Sequence, residues 1–226
     1  MPGSPMFDNG YRVFEGILTE RECTTLIETL GLNDFNAECA GLRNLMSVPE
    51  VVSLARDERL TEICRVVTGN DLIPYKATLF NKNGKANWLV PWHQDTALPV
   101  ETVPDSPEWG QASVKAGLTF AHAPTSALRN ILALRIHLDA STDINGPLRV
   151  IPGSHFERIH DDQQLRKLID NGPAESLRIG LGGVIAMSPL LVHASSKCET
   201  DAPRRVVHIE YAKSLEVEQG VRLAIS

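Results

Sequence analysis

The sequence of 226 residues has little cysteine, few aromatic residues and no excess of positive charge. Its four cysteines form no Cys-x-x-Cys pair, which argues against a zinc ribbon or a dithiol redox motif. We therefore expect reduced thiols in a cytoplasmic protein. No apolar stretch approaches about 18 residues, so the sequence predicts no membrane-spanning helix. The first residues also lack the basic and apolar regions of a secretory signal.

The balance of charge is acidic. Lysine and arginine total 22 and aspartate and glutamate total 28, giving a formal net charge of −6. A general nucleic-acid-binding surface is usually basic, so we expect neither nucleic acid nor a membrane as a partner. Hydrophobic residues make up 42% and charged residues 22%, which is typical of a globular protein. The length favours one domain spanning 1–226, as a monomer or a homodimer.

The first third of the chain, about residues 1–70, is helix-rich. Thr19 followed by Glu22 is a capping box, and it predicts a helix that ends near Leu30, before a glycine. Residues 47–68 carry a second helical pattern of apolar residues. A short strand at residues 11–17 precedes both.

Short strands with glycine and proline between them follow, over about residues 71–213. This pattern is typical of a β-sandwich or jelly roll. We predict a mainly β fold with flanking helices, with residues 99–127 as a long loop that contains a strand near 116–120. One later helix is predicted at residues 161–170. The other predicted strands are 72–80, 88–92, 131–139, 148–151, 180–187, 190–192 and 205–211.

The first candidate for chemistry is the segment Trp92-His93-Gln94-Asp95. Residues i and i+2 of a strand face the same side, so His93 and Asp95 are expected to point together. An imidazole and a carboxylate on one face are two of the three ligands of a facial triad for non-haem iron(II). By itself, a His-x-Asp tripeptide equally fits a surface histidine and a turn aspartate.

A second candidate lies near the C-terminus, where His193 follows an apolar segment and Arg204 opens the next strand. A hairpin would bring Arg204 close to His193. A guanidinium can bind a carboxylate through two parallel hydrogen bonds. Three metal ligands and an anchor for a dicarboxylic acid are what a 2-oxoglutarate oxygenase requires.

A third segment runs from Asn145-Gly146-Pro147 to Pro152-Gly153-Ser154-His155. Together with His-Gln-Asp, the spacing of His193 and Arg204, and the opening Asn9-Gly10-Tyr11, it resembles the phytanoyl-CoA dioxygenase family over nearly the whole chain. The resemblance implies a double-stranded β-helix, which is a cupin-like jelly roll. It further implies an oxygenase that requires Fe(II), 2-oxoglutarate as cosubstrate and O2.

The resemblance also assigns residues. It makes His93, Asp95 and His193 the catalytic iron ligands, and Arg204 the partner of the distal carboxylate of 2-oxoglutarate. Ser195 fits a His-x-Ser pattern that contacts the same carboxylate. Two further positions complete the expected cosubstrate site. They are Asn81, where relatives often place a polar contact, and Arg135, where some members carry tryptophan, so that Arg135 is also a candidate for binding an anionic substrate.

Several rival residues have simpler interpretations. His155 belongs to the Pro-Gly-Ser-His turn of the family, and we expect it to shape the fold. His137 and His208 share strand faces with Arg135 and Arg204, so each could border the site or be structural. Two other histidines, at 122 and 160, are expected to be solvated. Arg205 competes with Arg204, but neighbours on a strand face opposite sides, so only one can point inward.

The resemblance implies oxidation of a small-molecule metabolite with release of succinate and CO2. Asp95 favours hydroxylation, or desaturation, cyclisation or epimerisation, over halogenation, because halogenating relatives lack this carboxylate. We expect residues 96–127 and 155–175 to form the mouth of the pocket. A substrate with an anionic group would fit Arg135 and Arg129. The alternative is a non-catalytic, cupin-like module that binds a metal or small ligand.

Overall fold

Two antiparallel sheets pack together in the computed structural model, which describes residues 8–32 and 41–226. In these residues the strands are β1 (Tyr11–Phe14), β2 (Gly41–Leu42), β3 (Ile73–Lys82), β4 (Val90–His93), β5 (Ala97–Pro99), β6 (Ala112–Lys115), β7 (Leu118–His122), β8 (Ile131–His137), β9 (Leu148–Val150), β10 (Glu175–Leu177), β11 (Val184–Met187), β12 (His193–Ser195), β13 (Arg204–Ala212), β14 (Glu216–Glu218) and β15 (Val221–Arg222). The α-helices are α1 (Glu20–Thr29), α2 (Pro49–Ala55), α3 (Glu58–Thr68), α4 (Thr125–Leu128) and α5 (Asp162–Asn171), and a 3-10 turn covers Leu45–Ser47.

The larger sheet has the order β1-β11-β8-β13-β3-β2, and the smaller one β10-β9-β12-β4. The central strands of the larger sheet are almost wholly buried, because helices cover one face and the smaller sheet covers the other. Neighbours in the sheets are distant in sequence, which is the topology of a jelly roll. The prediction of a mainly β fold with flanking helices is confirmed.

The outer face of the larger sheet packs against the N-terminal helices. The capping box of Thr19 and Glu22 is present at the start of α1, and Asp57 caps α3. The helices contribute buried residues such as Leu60 and Ile63 to the same core as the outward side chains of the sheet, including Leu134. Complete burial of such a side chain contributes about 1.5–3 kcal/mol. Core packing therefore fixes which side of each strand faces outward.

The inner face combines an apolar core with a charged end. Ile185 and Met187 of the larger sheet pack against Leu148 and Val150 of the smaller one. Toward the other end, the alternation that turns Leu134 outward turns Arg135 inward. The functional side chains therefore occupy one end of the space between the sheets.

The prediction that residues 99–127 form a long loop with a single strand is wrong, because the segment contains more regular structure. The structure has a three-stranded sheet there, with order β5-β7-β6, and the strand predicted near 116–120 is β7. Strand pairing across a tight turn at Ala116 and Gly117 makes up for the weak periodicity of the sequence. The strand predicted at 190–192 is also displaced, because these residues form a turn and His193 opens β12. Within the described residues, no helix has the length and apolarity needed to cross a membrane.

Candidate active site

Three potential metal ligands converge where β4 meets β12. His93 and His193 are direct cross-strand partners, and their ring centroids are 4.2 Å apart. Asp95 lies two residues beyond His93, and its carboxylate oxygens are 3.5 Å from Nε2 of His93 and 3.4 Å from Nε2 of His193. One ligand atom from each residue lies within 4.8 Å of the other two. This arrangement lets all three side chains share one ion.

Backbone carbonyls orient both imidazoles. Nδ1 of His93 is 2.8 Å from the carbonyl of Pro91, and Nδ1 of His193 is 2.8 Å from that of Leu191. A carbonyl only accepts hydrogen bonds, so each Nδ1 carries a proton, and Nε2 is the nitrogen that a neutral ring leaves for a metal. The backbone therefore selects the tautomer that can bind a metal.

The residue between two of these ligands anchors the site to the rest of the fold. The side-chain amide of Gln94 donates to the carbonyls of Glu157 and Leu190 and accepts from the N–H of Ile159. The backbone N–H of Asp95 donates to the carbonyl of Pro189. These contacts hold the segment rigidly although it lies beyond the end of β4.

Burial and the mutual charges of the three side chains set their ionisation in the absence of a metal. Burial lowers the pKa of His193 to about 4, despite the opposing charge of Asp95. Burial alone would raise the pKa of Asp95, but the charge of His193 and the hydrogen bond with His93 hold it well below its usual value. Burial lowers the pKa of His93, yet the hydrogen bond and charge of Asp95 outweigh it and raise the pKa above its usual value.

Two imidazoles and one carboxylate are the donor set of the facial triad that binds non-haem iron(II) and leaves coordination positions open. The preset tautomers and the ionised Asp95 fit such an ion without rearrangement of the backbone. The donor chemistry therefore matches the metal that the sequence resemblance implied.

A cavity of about 100 Å³ adjoins the three ligands between the sheets. Its lining includes Arg204, which is only 3% exposed. The Nε of Arg204 donates to the carbonyl of Asn145, whereas its buried Nη1 has no hydrogen-bond partner among the described residues. A buried guanidinium without a counter-ion is costly. The guanidinium of Arg204 therefore suits the carboxylate of a ligand both by its position in the cavity and by its charge.

Lys82 is a second buried cation in this cavity, and it is not among the site residues predicted from the sequence. Its Nζ donates to Oγ of Ser195 at 2.8 Å and to the carbonyl of Ser196 at 2.6 Å. The same Ser195 hydroxyl donates to the carbonyl of Gly146 and lies 3.4 Å from Nη2 of Arg204. Ser195 thus holds both cations in place. Strand alternation could have indicated this residue, since Lys82 lies two residues after Phe80 and faces the same side of β3.

The Asn145-Gly146 turn supplies two of the acceptors that organise this cluster. Gly146 has a φ of +70°, and a Cβ there would lie 2.5 Å from the carbonyl oxygen of Ser196 and 3.0 Å from the side chain of Lys82. Glycine at this position is therefore required both by the turn and by the close approach of Lys82.

Arg135 also lines the first cavity. Its guanidinium lies 5.3 Å from the centroid of the Phe80 ring, and Nη1 is 3.2 Å from Nδ1 of His208. Since arginine only donates, Nδ1 of His208 accepts, and its Nε2 carries the proton that faces Oε1 of Glu210 at 3.4 Å. His208 thus connects Arg135 to Glu210 rather than acting as a metal ligand.

Two neighbouring side chains face away from the cavity. Asn81 is on the outer face of β3 with Leu79, and it does not line the first cavity. Arg205 is directly opposite Asn81 across the strands and forms a two-point ion pair with Asp139. Alternation therefore separates Arg204 and Lys82 from Arg205 and Asn81.

Arg204 and His193 come together by a different route from the expected hairpin. Strand β12 pairs with β4 and β9, whereas β13 pairs with β3 and β8 in the other sheet. The two residues line one cavity because the sheets pack face to face. The predicted proximity is present, but the predicted hairpin is wrong.

A second cavity, of about 330 Å³, shares His93 and Asp95 with the first cavity in its lining. At its inner wall, the buried Glu210 accepts from Tyr75 and from Lys76, both at 2.6 Å. The remaining lining residues are Arg43, Thr78, Phe80, Gln94, Thr96, Ala97, Lys115, Phe120, His122 and His208.

Some expected pocket residues lie elsewhere. Arg129 pairs with Glu157 and lines neither of these cavities, so it does not fit the expected role toward an anionic substrate. No residue of 155–175 lines either cavity, within the part of the chain that is described. His137 is fully buried in the sheet, and His155 packs against Gly10.

Comparisons with known proteins agree with this arrangement. The sequence profile of the phytanoyl-CoA dioxygenase (PhyH) family matches residues 7–206. The L-proline trans-4-hydroxylase of Streptomyces griseoviridis is 26% identical over 203 residues, which are 78% of this chain and 63% of that protein. This chain therefore spans less than two thirds of the length of that relative.

Solved structures share the fold. EctD from S. alaskensis with bound Fe has a TM-score of 0.70 and 21% identity, covering 93% of this chain and 75% of that chain. EctD with 2-oxoglutarate and 5-hydroxyectoine has a TM-score of 0.67 and 21% identity, covering 91% and 72%. The non-heme alpha ketoglutarate dependent carbocyclase SnoK from nogalamycin biosynthesis has a TM-score of 0.68 and 18% identity, covering 93% and 87%.

Proposed function

This chain belongs to the phytanoyl-CoA dioxygenase family, and from that premise we propose that it is an Fe(II)- and 2-oxoglutarate-dependent dioxygenase that oxidises a small molecule. The observation that carries the proposal is the convergence of His93, Asp95 and His193 beside a buried cavity that contains Arg204. A module that only binds a metal has no use for a buried guanidinium next to its metal ligands. The arrangement therefore favours catalysis over the non-catalytic alternative.

In the proposed enzyme, His93, Asp95 and His193 hold the iron through two Nε2 atoms and one carboxylate oxygen. Iron(II), when bound with 2-oxoglutarate and O2, supplies the oxidising chemistry, and succinate and CO2 are released. The protein contributes the fixed imidazole tautomers, an ionised aspartate and exclusion of water from the space between the sheets.

The cosubstrate is proposed to occupy the first cavity. Arg204 pairs with its distal carboxylate, since Nη1 is buried and otherwise unpaired. Ser195 and Lys82 line the same cavity, and Arg135 approaches it from β8. The proposal assigns Lys82, rather than Asn81, the polar contact from β3. Ser195 acts through its oxygen on the two cations, because it accepts from Lys82 and Arg204 and donates its hydroxyl hydrogen to Gly146.

The substrate is proposed to enter the second cavity. Both cavities include His93 and Asp95 in their walls, so the metal site lies between them. A substrate in one cavity and the cosubstrate in the other would meet at the ion from different sides. Two of the named relatives are an L-proline hydroxylase and EctD, which was solved with 5-hydroxyectoine, and both support a small polar metabolite as the substrate class.

The remaining parts of the proposal concern the setting of the protein. We propose a cytoplasmic enzyme that acts as a monomer or homodimer without nucleic-acid or membrane partners. The acidic net charge of −6 supports this, together with the free cysteines 23, 64 and 198. A single domain of residues 1–226 likewise remains a prediction.

Succinate formation tests the proposed function directly. Purified protein supplied with iron(II), ascorbate and 2-oxoglutarate is expected to release succinate, and addition of a substrate such as L-proline or another small metabolite is expected to accelerate release. Chelation of the iron should abolish the signal, and resupply should restore it. Absence of metal-dependent succinate release, with and without candidate substrates, would contradict the proposal.

Lys82 should contribute to cosubstrate binding in a pH-dependent way. Burial, together with the nearby charge of Arg204, lowers the pKa of Lys82 to about 8. Lys82 is thus a cation below about pH 8 and loses its charge above it. We expect kcat/KM for 2-oxoglutarate to fall as pH rises through this region, because kcat/KM reports ionisation of the free enzyme.

The variant Lys82→Met is expected to raise the KM for 2-oxoglutarate about tenfold at pH 7, which corresponds to loss of one charge-assisted contact. It should also flatten the decline above pH 8. Lys85→Met removes an exposed lysine nearby and serves as the control. An unchanged pH profile in Lys82→Met would rule out this role.

A further inference from the structure

The mouth of the second cavity carries positive charge that no carboxylate of the described residues balances. Arg43, Lys76 and Lys115 all line the cavity. Lys76 pairs with Glu210 at 2.6 Å, and its charge is therefore compensated. Arg43 and Lys115 are exposed and form no ion pair within the described residues. Two cations are thus available to a ligand in the cavity.

The backbone next to these two cations is held in a specific conformation. Asn44 and Ala116 have φ of 60° and 49°, and they are the two residues other than glycine with positive φ in the described chain. The side-chain amide of Asn44 donates to the carbonyl of Ala116 at 3.1 Å. Such backbone strain persists where the surrounding structure determines it, and it is common at ligand sites. The contact brings the chain at Arg43 and the β6–β7 turn at Lys115 together.

Two of the cations that line this cavity lie near the same aromatic ring. The ammonium groups of Lys76 and Lys115 each lie 5.7 Å from the centroid of the Phe120 ring. Cations placed near one aromatic face are attracted to it but repel each other. Because Lys76 is already paired with Glu210, an anion bound beside Phe120 would be attracted mainly by Lys115.

The cavity has no comparable feature for a cationic ligand. Both oxygens of Glu210 are engaged, by Tyr75 and Lys76. Asp95 is turned toward the two histidines of the metal site. Among the residues that line this cavity, no other side chain is a carboxylate. The charge distribution therefore selects against amines as the distal group of the ligand.

We propose that Arg43 and Lys115 bind an anionic group of the substrate and restrict the enzyme to small carboxylates or phosphates; this rests on the proposed function. The anion lies at the mouth, and the carbon that is oxidised lies at the opposite end, near His93 and Asp95. The volume of about 330 Å³ suits a metabolite rather than a long acyl chain.

A screen of matched pairs tests the substrate class. Carboxylic acids that carry no amino group would be compared with their amides, and sugar phosphates with the parent sugars. Two readouts are succinate release above the substrate-free rate, and the shift in Tm of protein loaded anaerobically with iron(II) and 2-oxoglutarate. The anionic member of each pair is expected to stimulate succinate release and raise the Tm, and the neutral partner to do neither. The comparison of the two kinds of pair distinguishes a carboxylate from a phosphate. Equal behaviour within pairs, including absence of any response, would overturn the proposal.

Variants then test the residues, using the best anionic probe of the screen. Arg43→Gln and Lys115→Gln are each expected to raise its KM about tenfold with little change in kcat, because the charge contact is distant from the reacting carbon. Lys167→Gln, an exposed lysine of α5 that lines neither cavity, is the matched control. An unchanged KM in the double variant Arg43→Gln/Lys115→Gln would refute the assignment.

The two hypotheses fail in different ways. Substrate-free succinate release depends on the metal site and the first cavity, so it reports on the proposed function separately from the anion, and Lys167→Gln should leave it unchanged. Loss of all succinate release in the wild-type protein would contradict the proposed function, while the Tm readout would still report anion binding. Normal substrate-free release together with stimulation by neutral partners would contradict the anion inference alone.

Discussion

The variant Asp95→Ala is expected to lose metal-dependent succinate formation almost completely. The substitution removes one of three ligand atoms that lie within 4.8 Å of one another, and with it the negative charge that faces both imidazoles. Mutation of outer-shell residues in metal sites typically costs about 10–100-fold in affinity or activity, so loss of a direct ligand should cost at least about 100-fold. Iron titration and succinate release would measure the two effects separately.

The control for this experiment is Asp143→Ala, which removes an exposed carboxylate that pairs with Arg178 and lines neither cavity. Its activity should equal that of the wild-type protein. The thermal stability of Asp95→Ala without metal should be near the wild-type value, so that lost activity does not reflect unfolding. Full turnover by Asp95→Ala at ordinary iron concentrations would refute the assignment of this ligand.

The second large effect is expected from a pair of neighbouring arginines with opposite roles. Arg204→Met removes a buried guanidinium whose Nη1 has no partner in the described residues. We expect the KM for 2-oxoglutarate to rise about 100-fold, the equivalent of about 3 kcal/mol from a two-point charged contact. Stability without ligand should be unchanged or greater, because an uncompensated buried charge is removed.

Arg205→Met should behave in the reverse way. Arg205 binds Asp139 through two contacts of 2.7 Å, and both side chains are largely buried. Its loss leaves Asp139 without its partner, which should cost about 2–3 kcal/mol. The Tm should therefore fall by roughly 5–10 °C for a chain of this size. The KM for 2-oxoglutarate should stay near the wild-type value.

Measuring KM and Tm for both variants separates the functional role from the structural one. If the KM for 2-oxoglutarate rose equally in Arg204→Met and Arg205→Met, the effect would reflect damage to β13. If only Arg205→Met raised it, the residues would be exchanged and the strand register would be wrong. The structure predicts neither result.

Local sequence patterns predicted much of this architecture because the responsible interactions are local. The capping box at Thr19 and Glu22 is satisfied within four residues, so the start of α1 could be read directly. The Asn145-Gly146 turn likewise depends on the conformational freedom of one glycine. The region 99–127 was misread because its strands are stabilised by pairing with each other and not by their own periodicity.

In the candidate site too, some residues were predictable from the sequence and others only from the tertiary structure. The residues His93, Asp95, His193 and Arg204 were identifiable from spacing and resemblance, and the structure brings them to one place. Lys82 was overlooked in favour of Asn81, one residue earlier, because a sequence does not state which side of a long buried strand faces the cavity. Only the packing of Leu79 against the helices decides that Lys82 points inward.

The amino-acid sequence alone determined the β-rich class and the helical first third, since these follow from short-range patterns, while its resemblance to a family supplied the proposal of three metal-binding side chains. Tertiary structure decided which side chains share a cavity. Strands β12 and β13 belong to different sheets, so the distance from His193 to Arg204 depends on how two sheets pack. The pairing of Arg43 with Lys115 at one mouth likewise comes from a contact between segments more than seventy residues apart.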